Sequence, residues 1–188
     1  MDCKYVKKEE SDKMHKIGDF KSERNKSLQE ARDTISDVKK IVTKVRQIDN
    51  IKEKEAVDIL SNVRDRCYEN LNIIPHDLMI LQAADWIKKR DYPDKAIEWH
   101  WNRGQTSKKE EADLHGKIAG KIVVSAEITT SAKPIYKTMA QTLKKLNEMQ
   151  VPGKKIYFVR TKGMKKPADA EIKEKGHKIK VEIIQLGT

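Results

Sequence analysis

The chain has 188 residues and a formal net charge of +11; charged and hydrophobic residues each make up 37% of it and aromatic residues 5%. That length allows one domain, or one domain with an appendage, and no apolar run approaches the roughly 20 residues that a membrane-spanning helix needs. Two cysteines, Cys3 and Cys67, exclude a disulfide framework, and five scattered histidines lack the spacing of a zinc site.

The basic balance favours a polyanionic partner, nucleic acid first, although lysine also accumulates in chains without such a role. The N-terminus has no apolar core of a signal peptide, so a cytoplasmic location is expected. Residues 1–25 are polar, basic and aperiodic, and read as a flexible arm. From Leu28 the pattern changes: Leu28, Ala31, Ile35, Val38, Val42 and Val45 step by 3 and 4 along a heptad seam. Ala56, Ile59, Leu60, Val63, Cys67 and Leu71 form a second helical stripe after a turn at Asp49-Asn50. The two predict a helical hairpin over 26–74, with dimerisation or DNA clamping as its use.

Asn72–Pro75 interrupts the pattern, and Pro75 suits the first turn of a new helix reaching Lys89. Tyr92-Pro93-Asp94 turns the chain into a strand at 96–101, whose Ile97, Trp99 and Trp101 face a core. A loop follows from Asn102 to Lys109. Strands are expected at 112–118 and 121–130, a helix at 135–149, a strand at 156–160, a short helix at 167–175 and a last strand at 179–186. This α-β-β-β-α-β-α-β order predicts an α/β (α+β) fold over 75–188, with a mixed sheet flanked by helices.

Two acids stand out. Asp113 comes before the third strand, and Glu127 sits fourteen residues later within it, in the alternating run Ile122–Thr129. Ile122, Val124, Ala126 and Ile128 would face one way, and Val123, Ser125, Glu127 and Thr129 the other. A carboxylate there is costly unless it is solvated, hydrogen-bonded or bound to a metal.

The arrangement resembles the PD-(D/E)XK nuclease superfamily of restriction and repair endonucleases. Ala112-Asp113 matches the PD element with Ala for Pro, and Glu127-Ile128-Thr129 matches (D/E)-x-K with Thr129 where lysine is usual. The resemblance covers roughly residues 78–186. It implies a restriction endonuclease-like core and a Mg²⁺-dependent endonuclease that hydrolyses DNA, a type II restriction enzyme being one form. Asp113, Glu127 and the Ile128 carbonyl would hold Mg²⁺, and no organic cofactor is needed. Thr129 cannot replace the lysine, since a hydroxyl carries no charge and is a poor base. Lys133, Lys137 and Lys144 are the candidates to reach in, with Lys137, Gln141 and Lys144 on one helical stripe. Arg103, Lys108, Lys109, Lys133 and Lys144 are candidate phosphate contacts. A double-strand break made with one site per chain would require a homodimer.

Each residue also has a plainer reading. Asp113 can end a charged loop, Glu127 can be a solvated strand residue, and Glu98 and His115 read as surface groups. Cys67 reads as a buried helix-face residue. Two other functions remain open: a catalytically degenerate nuclease-fold DNA-binding or interaction module, and a helical scaffold whose C-terminal part only packs. The last leaves Glu127 without a reason.

Overall fold

The computed structural model describes residues 14–46, 52–102 and 111–184. Among them are four helices and six strands: β1 (His15–Lys16), α1 (Phe20–Arg46), α2 (Glu53–Asp91), β2 (Glu98–Trp101), β3 (Leu114–Ile118), β4 (Lys121–Thr129), α3 (Tyr136–Glu148), β5 (Lys154–Val159), α4 (Lys162–Lys175) and β6 (Lys180–Ile183). The strands form one sheet in chain order; β1 to β4 pair antiparallel and β4, β5 and β6 pair parallel. The architecture is therefore α/β with a mixed sheet, as the element order predicts.

Alternation along the strands divides the core in two. Val124, Ala126 and Ile128 of β4, with Ile156 and Phe158 of β5, pack on the Ile80, Ala83, Ala84 and Ile87 face of α2. Trp99, Trp101 and Leu114 extend this layer. On the opposite face, Tyr157, Val159 and Val181 meet Met139, Leu143 and Leu146 of α3 and Met164 and Ala168 of α4. Each such aliphatic side chain contributes about 1.5–3 kcal/mol when buried, so both helical layers are held firmly to the sheet. Cys67 is buried on α2, as its position in the stripe predicts.

Three helices are longer than the hydrophobic pattern indicates; α4 starts at Lys162 rather than Pro167, because the Thr161 hydroxyl accepts from the Met164 N–H and caps it there. The first starts at Phe20, where the Asp19 carboxylate accepts from the backbone N–H groups of Lys21 and Ser22. Its first turns carry Glu23 and Ser27 on the inner face, so no apolar period marks them. The second runs unbroken through Pro75, where a break is expected. Leu71, whose carbonyl loses its helical partner to the proline, is 56% exposed, so water can take that bond. The expected boundary at 74/75 therefore lies inside α2. The expected turn at Asp49-Asn50 lies outside the described residues.

Candidate active site

The β3–β4 register sets the two acids beside each other. Leu114 pairs with Ala126, which places Asp113 level with Glu127 at the end of the hairpin. The main chain at Asp113 is held from β2: the N–H of Asn102 donates to the Asp113 carbonyl at 2.9 Å, and Asn102 Nδ2 donates to the Ala112 carbonyl at 3.0 Å. Asp113 Oδ2 accepts from the Ile128 N–H at 2.8 Å and lies 3.3 Å from His76 Nε2 on α2. Strand pairing and a helix thus fix one carboxylate from two sides.

Glu127 faces the α3 layer and is only 6% exposed. Its Oε1 lies 2.7 Å from Lys145 Nζ, in an ion pair that leaves Oε1 without a well-directed hydrogen bond among the described residues. Burial first, then the charge of Asp113, push the Glu127 carboxyl up to about 8, against the pull of Lys145. Burial pulls the His76 imidazole down, but the hydrogen bond and charge of Asp113 outweigh it and raise it above its usual value. The Nδ1 of His76 is buried with no partner among the described residues.

A depression of about 130 Å³ opens beside Glu127, lined by Thr129, Ser131, Thr138, Thr142 and Tyr157 among others. Thr129 shares the Glu127 face, as the alternation predicts, but its side chain hydrogen-bonds with Tyr157. Burial raises the Tyr157 phenol to about 12, and the Thr129 bond opposes that shift.

The candidate lysines lie elsewhere. Lys133, Lys137 and Lys144 are exposed, and Lys144 Nζ lies 3.8 Å from Glu148 on the outer side of α3. Lys145, which the sequence reading passed over, is the one that reaches Glu127. Its signal was present: Thr138, Thr142 and Lys145 follow i, i+4, i+7 spacing beside the apolar stripe of α3. His76 had no such signal, because its partner comes from a strand 37 residues away.

Arg103, Lys108 and Lys109 lie outside the described residues. Glu98 pairs with Lys16 and, at 2.6 Å, with His100, on the edge of the sheet away from Glu127. Those two partners hold its carboxyl at about 2. His115 is buried rather than on the surface: it is 5% exposed, with Nδ1 2.8 Å from Ser125 Oγ. Burial lowers its imidazole to about 4.

The resemblance assigns a cation to the carboxylates of Asp113 and Glu127 and the Ile128 carbonyl, and the two carboxylates do lie beside each other. An all-oxygen set suits Mg²⁺ or Ca²⁺, and Mg²⁺ in particular binds through one or two carboxylates while keeping several waters. The buried Glu127 carboxyl, crowded by Asp113, fits such an ion. No group of three or more His, Cys, Asp or Glu side chains able to hold a metal is present among the described residues. No helix among them is long and apolar enough to cross a membrane. Comparison with protein-family models, with curated proteins and with solved structures gave no match.

Proposed function

We propose that this chain is a Mg²⁺-dependent endonuclease of restriction endonuclease-like fold that hydrolyses DNA phosphodiester bonds. The observation that carries the reading is the ion pair of Lys145 with Glu127, beside Asp113. It supplies, from α3, the lysine that the resemblance requires and that Thr129 replaces. The run α2-β2-β3-β4-α3-β5, an antiparallel meander followed by a parallel crossover, supports the same reading.

A cation bound at Asp113, Glu127 and the Ile128 carbonyl would supply charge neutralisation at the phosphate and a more acidic water. The remaining work falls to side chains. His76 and the Ile128 N–H hold Asp113 in one orientation. The Lys145 ammonium opposes the upward shift of Glu127 and has donors left for a water or a non-bridging phosphate oxygen. The water gives up a proton to solvent as its oxygen adds to phosphorus, the bond from phosphorus to the leaving sugar oxygen breaks, and that oxygen takes up a proton from solvent.

A degenerate binding module is the second reading. It is favoured by the partners both acids already have, His76 for Asp113 and Lys145 for Glu127, which neutralise the site without a metal. Thermal denaturation with Mg²⁺, Ca²⁺ or EDTA separates the two readings. An active site gains stability with either cation, and Glu127→Gln removes the gain. Equal melting in cation and chelator, with DNA binding retained, would leave only the binding module.

A further inference from the structure

The helical hairpin is packed the wrong way round for a finished structure. Its inner seam is half polar: Ser27 and Thr34 are buried there, and Glu23, Glu30 and Asp37 are half-buried alongside Ala31, Val38 and Ile41. The Ser27 hydroxyl is buried with no partner among the described residues. The bulkier Leu28, Ile35 and Val42 of α1 and Val57, Leu60 and Leu71 of α2 are instead 36% to 68% exposed.

Helical geometry places these six residues together. On α1, Leu28, Ile35 and Val42 recur every seven residues, about 100° around the axis from Ser27 and Thr34. On α2, Val57, Leu60 and Leu71 lie about 100° from Ala56, Ile59 and Asn70, in the same rotational sense. The helices run antiparallel, so equal rotations from the shared seam bring both stripes to the same side of the hairpin. Asn70 Nδ2 donates to Thr34 Oγ1 at 3.1 Å, which sets the level. Ile35 then lies within a turn of Leu71, and Val42 within a turn of Leu60. Arg64 falls on the α2 stripe between Leu60 and Leu71, where its aliphatic stem can extend the apolar surface.

We infer that this face is the interface with a second copy of the chain. The six side chains expose on the order of 500 Å² of apolar surface, as much as the largest patches on ordinary monomers. With the stems of Arg32 and Lys39 alongside, this approaches the roughly 800 Å² per partner of a standard interface. A two-fold axis parallel to the helices lays α1 on the partner's α2, so that all neighbours run antiparallel, as in an up-down four-helix bundle. The α1 stripe is then closed by the α2 stripe of the second copy, and the α2 stripe by its α1 stripe. Residues 1–13 offer only Met1, Cys3, Tyr5 and Val6 among charged side chains, a poor apolar match for a stripe of this length.

Sedimentation analysis of the full chain, from micromolar to submillimolar concentration, tests the inference. The wild type is expected to be a dimer. Ile35→Ser combined with Leu60→Ser, and Ile35→Glu combined with Leu60→Glu, are expected to weaken association by more than about 100-fold while helical circular dichroism is retained. The serine pair serves as the milder variant if the glutamates unfold the hairpin. A monomeric wild type would overturn the inference, and so would dimers that persist in both folded variants.

Discussion

Asp113 and Glu127 lie side by side with a histidine on one and a lysine on the other, and the two pairs respond to pH in the same direction. Glu127 titrates at 4.5 in the unfolded chain and at about 8 in the folded one. Between those values the folded state binds more protons, so on this account stability falls as pH rises. The contribution of His76 is complete below its ordinary 6.5 and is lost as pH rises through its higher folded value. The wild-type Tm should therefore fall between about pH 5 and pH 8 more steeply than that of Glu127→Gln; parallel slopes would remove Glu127 as the source. Lys145→Met should lower cleavage by about 100-fold or more, without loss of fold. Lys137→Met, on the outer face of α3, should leave cleavage unchanged, and equal losses from the two substitutions would contradict the role given to Lys145. The sequence exposed the acids because a carboxylate in the alternating run 122–129 needs a reason. It hid Lys145 because lysines on both flanks of α3 look alike until the sheet chooses a side.

Elements were legible wherever one face is apolar, and obscure where packing is polar or overrides propensity. The stripes Met139, Leu143, Leu146 and Ile80, Ala84, Ile87 mark their helices plainly. The first turns of α1 rest on the Asp19 cap and have no stripe to show. Proline at 75 reads as a boundary, yet the burial of Ile74 on one side and Met79 and Ile80 on the other keeps α2 continuous. Pro75→Ala restores a helical N–H and should raise stability by up to about 3 kcal/mol, measured by denaturant unfolding. It should also lower cleavage if the proline sets the aim of His76. Gly153 has φ of 102°, and a Cβ there would lie 2.3 Å from the Val123 carbonyl oxygen. Gly153→Ala should therefore cost about 1–3 kcal/mol; a neutral result would mean that the turn into β5 can shift.

At the scale of the molecule, the charge of +11 is the feature on which the proposed binding of a polyanion rests. On the proposed reading, DNA affinity should fall at least about tenfold between about 50 and 200 mM salt, for wild type and Glu127→Gln alike, since both carry the same lysines. The sequence carried the α/β order and the acid pair; it also marked Leu28, Ile35 and Val42 as a seam, but only the packing shows that Ser27 and Thr34 take the inner positions and leave those three exposed. The most direct test incubates the full-length protein with plasmid and phage DNA, with Mg²⁺ or with EDTA, beside Glu127→Gln and Lys145→Met. Cleavage that requires Mg²⁺ and is lost in both variants is the predicted result. Intact DNA under all conditions, from folded protein that still binds it, would contradict the proposed endonuclease.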